Sequence, residues 1–596
     1  MIEGYQVKKA VGTILFVASL LAVAFWYQHH VAGDPSNTDE NGKPKAKPPT
    51  LTSVKETKSP FQFVNVMKDS GVDFVYKGSP TPNAHMVEQN GGGAGLFDFD
   101  NDGSLDLLLV NGAQFNAKQS ALASSHRLYR GDGAFHFSDA TVGSRIKSHG
   151  FGMGCTAADY NNDGFTDIFI AAYGRDRLWQ NNGDGTFSET TDIAGVGCEK
   201  WGTSAAFADL DADGLTDLYV VNYVDWKVDG PPCTAPGDPN VKFICSPMQL
   251  PAQSDVLYRN NGDGSFTELG TEAGVAPEEL GKGLALSIVD LNDDGMLDVY
   301  VANDTTANSL FTNQGNMKFA DQAVMQGVAI SADGAVGASM GVACADCDGN
   351  GFLDLSVTNF RGQVNDVFSN LGPSGFVPAS DTFGMDAVSR ASLGFGIMFA
   401  DFNMDLWPDM LIANGHIHDY SFRGESEYRM RSQVLLNQNG KRFADVSAGS
   451  GGYFSKKWLA RSIAIGDIDN DGDPDAIMTH LHDQPALLRN DSTSTNERMK
   501  FKPIGTRSAR ESRGATVTIR LSDRTVVSHV PAGTGFQAFH DRRVLTAIPA
   551  ENTVEYVEVR WPGGSIERWD NPVPANHDTV LLVEGTGKPI ASDTND

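Results

Sequence analysis

Residues 209–217 read DLDADGLTD, and the run Leu218 to Val221, LYVV, follows at once. Oxygen-bearing side chains stand at positions one, three, five and nine of this nonapeptide, with glycine at position six. Calcium takes roughly six to eight hard oxygen ligands, and alternating Asp or Asn side chains around a sharp turn bring such oxygens to one point. Glycine supplies the backbone freedom that the turn needs. The run that follows is short, apolar and rich in β-branched and aromatic residues, which predicts a buried strand.

Seven segments share the pattern. The predicted metal ligands are Asp98, Asp100, Asp102 and Asp106 in loop one, and Asp159, Asn161, Asp163 and Asp167 in loop two. Loop three offers Asp209, Asp211, Asp213 and Asp217, and loop four Asp290, Asn292, Asp294 and Asp298. Loop five offers Asp346, Asp348, Asn350 and Asp354, and loop six Asp401, Asn403, Asp405 and Asp409. Loop seven closes the series with Asp467, Asp469, Asp471 and Asp475. Up to seven calcium ions are therefore expected.

An EF-hand needs a bidentate Glu at position twelve between two helices. Position twelve here is Leu109, Ile170, Val220, Val301, Val357, Ile412 or Met478, all apolar. The EF-hand reading fails at every loop. Instead each position-nine Asp leads into a β-rich run such as LLLV, IFIA or VYVA, so each loop joins two strands.

Seven residues before each loop stands Gly91, Gly152, Gly202, Gly283, Ser339, Gly394 or Ala460, all small enough for strands packed around a narrow axis. Downstream comes a second hairpin, as in LWQNNGDGTFSET and LYRNNGDGSFTEL. Strand, loop, strand, strand, turn, strand is one propeller blade. The loops start 61, 50, 81, 56, 55 and 66 residues apart, consistent with blades carrying surface loops of variable length. The fold class expected is all-β: a seven-bladed β-propeller over 61–497. The last copy, LLRND at Leu487, lacks a fourth strand, and FQFVNV at Phe61 is unpaired. The N-terminal strand is expected to complete the last blade and remove exposed sheet edges; an open solenoid is the alternative.

Asp+Glu 75 against Lys+Arg 46 gives −29, a charge that repels nucleic acid and anionic membrane. Of those carboxylates, 24 stand at ligand positions, and seven divalent ions would bring the formal charge to about −15. The loops with Asn at position three or five are expected to bind more weakly than the rest. Loop six, with Leu406 in place of glycine, is expected to be the weakest.

Lys8 and Lys9 precede the uncharged run Ala10 to Tyr27, about 27 Å as a helix and just enough to span a bilayer. Residues 1–30 thus predict a signal-anchor, or a signal peptide cut near Ala22-Val23-Ala24. Residues 31–60 are polar and proline-bearing, a flexible linker. The protein would be exported, either anchored in the membrane facing outward or periplasmic or secreted. Residues 498–587 alternate apolar and polar with Gly/Pro turns and predict a compact β-domain, followed by a tail over 588–596.

These residues resemble the FG-GAP/VCBS-type repeats of integrin α-chain propellers. More closely, they resemble the cartilage acidic protein family and its bacterial relatives with a C-terminal ASPIC/UnbV domain. ASMGVACADCDGNGFLDLSVTNF, SAAFADLDADGLTDLYVVNYVDW, ANGHIHD, RGATVTI and VEVRWPGGSIERW carry the resemblance. It implies an exported calcium-binding propeller plus a small β-domain, without established catalytic activity. The tail departs from the family at Arg543-Val544-Leu545-Thr546, where a Gly-Leu-Gly turn is usual.

Six cysteines in an exported chain make disulfides plausible. Cys233 and Cys245 would staple the long insertion between loops three and four, and Cys155 could pair with Cys198 between blades. Cys344 and Cys347 precede and enter a calcium loop, which favours a structural or free pair over a redox CxxC. Gly337-Ala338-Ser339-Met340-Gly341 matches the GxSxG elbow, but a metal loop follows where a helix is required. His416 with His418, and His480 with His482, have the spacing of two imidazoles on one strand face. Strand-end hydrogen bonding is the simpler reading, and transition-metal binding the sharper one. Trp201, Trp226 and Trp458 fit either packing between blades or a carbohydrate surface. No nucleophile, base or cofactor signature stands out, so a binding or adhesion module for a protein or carbohydrate partner is expected. The alternative is a polysaccharide-acting lyase or hydrolase at the propeller's central opening, by analogy with other propellers.

Overall fold

The computed structural model describes residues 58–590, apart from 79–80, 82, 116–120, 149, 236–237, 420–426 and 573–578. The expected anchor or signal peptide and nearly all of the linker lie outside the described residues. Among the described residues no helix is long and apolar enough to cross a membrane.

Seven sheets of one design follow one another among the described residues. Their first strands are Ala94–Phe97, Phe151–Ala158, Gly202–Ala208, Gly283–Val289, Val342–Ala345, Gly394–Ala400 and Ala460–Gly466. Each pairs antiparallel with a strand that begins at a position-nine aspartate, from Asp106–Leu109 to Asp475–His480. The third strands include Arg127–Gly131 and Val256–Asn260, and every fourth strand opens on phenylalanine, as in Phe187–Glu189 and Phe266–Glu268. In the seventh sheet the fourth strand is Phe63–Asn65, paired antiparallel with Asn490, Arg489 and Leu488. The N-terminal strand closes the last sheet, as its unpaired sequence predicted.

The first strand of each sheet packs against the first strand of the next, and that of the seventh returns to the first. This is a β-propeller, closed so that no sheet edge at the seam is left bare. First and second strands are buried almost throughout because both of their faces meet a neighbouring sheet. The core is correspondingly layered. Cys155 packs with Phe97, Leu108 and Ile168 between sheets one and two, whereas Cys198 borders the layer of Phe169, Phe207 and Val220 between sheets two and three. The expected Cys155–Cys198 bridge is therefore absent, and both thiols are free. Cys233 and Cys245 are bridged, while Cys344 and Cys347 are buried and free.

A second β-unit begins at Glu497–Ile504 and forms a three-stranded and a five-stranded sheet around Phe501, Val517, Val557 and Trp561. Its last strand, Lys588–Ile590, pairs with Ile566, Glu567 and Arg568, so the domain runs past the expected boundary at 587. It sits on the face of the propeller that carries the aspartate loops. Met404 and Leu406 of loop six join its core. This accounts for the missing glycine: Leu406 adopts φ +72°, a conformation costing an L-residue roughly 1–2 kcal/mol. Burying the leucine side chain offsets that by roughly 1.5–3 kcal/mol.

From this domain, residues 531–541 enter the propeller axis. Ala532 accepts from Ile288 N at 2.9 Å, Thr534 N donates to Leu286 O at 2.9 Å, and Gly535 pairs with Val342. Gln537 N donates to Ser204 Oγ at 3.3 Å, and Ala538–Phe539 run parallel to Ala94 and Gly95. His540 Nδ1 lies 3.2 Å from Ile465 N, and Phe536 packs edge-on to Phe395. The Cα of Gln537 lies against Gly154. Inner strands from all seven sheets touch this segment, so the central opening that the enzymatic alternative requires is filled.

Candidate metal centres

In all seven loops the backbone N–H of position six donates to the position-one carboxylate, at 2.7–3.2 Å. The position-nine carboxylate is used at both oxygens. One accepts the N–H of position two, at 2.8 Å in loop one, and the other accepts an N–H from the end of the third strand, at 2.9 Å from Gly131. The same pair recurs in every loop, from Asp167 to Asp475. Asp at position nine therefore locks the second hairpin onto the loop while lining the site. Position five stands at the exposed rim, where Asp102, Asp163, Asp213, Asp294, Asn350, Asp405 and Asp471 each accept the N–H two residues on.

Carboxylate oxygens from positions one, three and nine lie within 4.8 Å of one another in four loops: Asp98, Asp100 and Asp106; Asp209, Asp211 and Asp217; Asp346, Asp348 and Asp354; Asp467, Asp469 and Asp475. Position five joins none of these triads. In loops two, four and six the position-three residue is Asn, and its Nδ2 donates to the position-five carboxylate at 2.9 Å.

Several ligand-position oxygens are buried without a partner: Oδ1 of Asp100, Asp209, Asp211, Asp290, Asn403 and Asp467. A buried acceptor left unmade costs about 1–3 kcal/mol. An all-oxygen donor set with orphaned carboxylate oxygens fits a hard divalent cation such as calcium. The protonation behaviour agrees. Burial, opposed by backbone N–H donors and reinforced by the neighbouring loop aspartates, raises Asp106 and Asp354 to about 8 and Asp167 to about 9. Asp209 and Asp401 rise to about 7, also through burial first. A divalent ion would remove both penalties at once.

Three features were not read from the sequence. In loops one and three an arginine on the third strand offsets the additional carboxylate at position three: Arg130 Nε lies 2.6 Å from Asp100, and Arg259 Nε 2.6 Å from Asp211. Loops one and three thus differ less in net charge from the Asn loops than a count of ligands suggests. Asp473, at position seven of loop seven, is also buried, with Oδ1 unpartnered and Oδ2 2.9 Å from Arg498.

Finally, asparagine ends the third strand in every sheet but the first, and its Nδ2 reaches the preceding loop. Asn181 donates to Phe99 O, Asn260 to Tyr160 O, Asn313 to Leu210 O, Asn370 to Leu291 O, Asn437 to Cys347 O and Asn490 to Phe402 O, at 2.8–2.9 Å. Each side chain latches one blade to its neighbour. At the seam Gly131 takes this place, where a Cβ would lie 2.2 Å from Leu105 O. The repeated asparagine was visible in RNNGDG and QNNGDG, but its partner in another blade was not.

The remaining candidates resolve into packing. Ser339 Oγ bonds Asn359 Oδ1 at 3.2 Å, and the strand Val342–Ala345 follows it. His480 is held by Tyr453 Oη at 2.8 Å and Gln484 O at 2.7 Å. His416 Nδ1 accepts from His418 N at 3.0 Å, and His418 stacks on Phe243 at 3.8 Å. Trp201 and Trp226 are buried with Tyr173 and Tyr223, and Trp458 stacks on Tyr453 and His480.

Against known proteins, residues 98–170, 159–220 and 290–357 match the FG-GAP-like repeat, and residues 505–589 match ASPIC and UnbV. Cartilage acidic protein 1 of Mus musculus is 24% identical over 306 residues, covering 51% of this chain and 45% of that protein. Its Homo sapiens counterpart is 24% identical over 310 residues, covering 51% and 44%. The match thus spans less than half the length of these relatives. Among solved structures, an Agrocybe aegerita lectin described for recognition of non-reducing terminal N-acetylglucosamine is similar at 16% identity and TM-score 0.36, over 66% of this chain and 86% of the lectin. The chain joins FG-GAP-like repeats to a C-terminal ASPIC and UnbV domain, and in that combination it matches the cartilage acidic protein-like family that its motifs predicted.

Proposed function

We propose that this chain is an exported, seven-bladed calcium-binding propeller that presents one face to a protein or glycan partner, at the cell surface or in the periplasm. The loops would act structurally, each ion relieving crowded carboxylates and fixing a hairpin. The carrying observation is how the two faces differ. The loop face is covered by the second domain and the axis is filled by residues 531–541, which weighs against a polysaccharide-acting enzyme there.

The opposite face, where second strands lead into third strands, carries the insertion stapled by Cys233–Cys245. From sheet three this insertion reaches across the ring: Lys242 Nζ donates to Asn83 Oδ1 at 2.8 Å, and Phe243 stacks on His418, on the connection between the second and third strands of sheet six. A cross-linked platform of this kind limits the ordering cost of binding.

The test is binding of residues 31–596 to glycan arrays and cell-surface extracts, in calcium and in EGTA. The expected result is a calcium-dependent ligand whose binding falls in the Cys233→Ser/Cys245→Ser variant while its metal content is unchanged. Absence of any calcium-dependent ligand would contradict the reading.

A further inference from the structure

The strand Glu497–Ile504 crosses the loop face with Arg498, Lys500 and Lys502 at alternate positions, and so on one side of the sheet. The first two meet loop seven: Arg498 contacts Asp471 at 3.0 Å and Asp473 at 2.9 Å, and Lys500 contacts Asp467 at 2.9 Å. The Nζ of Lys502 has no hydrogen bond or ion pair among the described residues, although its backbone lies in the ladder with Leu581. It lines a cavity of about 200 Å³ between loop one and the second domain, together with Arg513, Arg542, Arg543 and Asp98.

The charges of this cavity do not cancel. Arg513 Nε is paired with Glu511 at 2.8 Å, and Arg543 Nε with Asp541 at 2.7 Å. That leaves Lys502 and Arg542 facing Asp98, whose two oxygens already accept the N–H groups of Asp102 and Gly103. Arg542 Nη1 is buried with no acceptor, although guanidinium donors taken out of water need one. A cationic excess persists here on a chain of net charge −29. Leu96, Phe97, Leu105, Phe539 and Leu581 supply apolar walls that strengthen a charged contact.

We propose that this cavity is a binding site for a small oxyanionic group, with Arg542 as a directed donor and Lys502 as a mobile point charge. The proposal does not depend on what the opposite face binds, because the site lies between the loop face and the second domain.

The test is thermal stabilisation and calorimetric titration of the full chain with inorganic phosphate, sulfate and acetate at matched ionic strength. These probes separate phosphoryl, sulfuryl and carboxylate ligands. Saturable binding of at least one is expected, weakened about tenfold or more in Lys502→Ala and in Arg542→Ala, the loss of one charge-assisted contact. Lys502→Arg, which keeps the charge, should restore most of it, and Lys147→Ala, on an exposed connector, should leave it unchanged. No saturable binding by any probe would overturn the proposal. So would binding of equal strength in the Lys502→Ala and Lys147→Ala proteins, since it would then be an unspecific salt effect.

Discussion

Lys500 Nζ of the second domain lies 2.9 Å from Asp467 Oδ2 of loop seven, with both side chains buried. It also donates to Asn470 O at 3.0 Å. The ammonium thus supplies part of the positive charge that loop seven needs, and it ties the second domain to the last blade. Removing it should leave a buried carboxylate uncompensated, a cost of about 3–5 kcal/mol. Lys500→Met is expected to lose that much stability in EGTA and to recover most of it in calcium, where the ion neutralises Asp467. Urea unfolding in the two conditions checks this.

The inter-blade latches make a second prediction. Asn260 Nδ2 donates to Tyr160 O at 2.8 Å and to Thr216 O at 3.1 Å, all buried. Asn260→Ala should cost about 1–3 kcal/mol by orphaning these carbonyls. Gly131→Asn should not create the missing latch at the seam but destabilise instead, because its Cβ has no room against Leu105 O. Denaturant midpoints of the two variants test both statements.

Much of this architecture was legible in the sequence, and for physical reasons. The Asp-rich nonapeptides are local, each position-nine Asp starts a strand, and the surplus strand at Phe63 had one vacancy to fill, beside Asn490. The filled axis was not legible. Residues 531–541 form only a two-residue strand and isolated bridges, so their partners, Ser204, Leu286, Val342 and Ile465, leave no periodicity to read. Nor was the role of Leu406, which looks like a defect in loop six until the second domain covers it. The Cys155–Cys198 expectation failed because neighbouring sheets assign the two residues to different packing layers.

Because residues 531–541 bond to inner strands around the ring, propeller and second domain should unfold together. Phe536 is fully buried against Phe395, and Phe536→Ala should cost about 3–5 kcal/mol. Differential scanning calorimetry is expected to show one transition for the parent protein, shifted downward in the variant. Two well-separated transitions in the parent would show that the segment does not couple the domains.

The pH response should differ with and without calcium. Burial lowers His416, His480, His529 and His540 from 6.5 to about 4. Groups depressed by folding contribute stability above pH 6.5 that is lost as pH falls towards 4. The loop aspartates are raised from 3.8 to about 7–9 at Asp209, Asp401, Asp106, Asp354 and Asp167, mainly by burial. In EGTA their contribution is present at low pH and lost as pH rises through those values, opposite in sign to that of the histidines. With calcium, acid both charges the histidines and displaces the ion. The melting temperature should therefore fall monotonically from pH 7 to 4 in calcium, and in EGTA it should be nearly flat or pass through a maximum. Melting curves across that range distinguish the two.

The most direct test is calcium content by atomic spectrometry on protein equilibrated with about 1 mM calcium and freed of unbound ion by rapid gel filtration, paired with its melting temperature before and after EGTA. Between four ions, one for each carboxylate triad, and seven, one for each loop, should be bound per chain. EGTA should then lower the melting temperature by several degrees or more. A chain with no bound calcium, melting at the same temperature with and without chelator, would contradict the account.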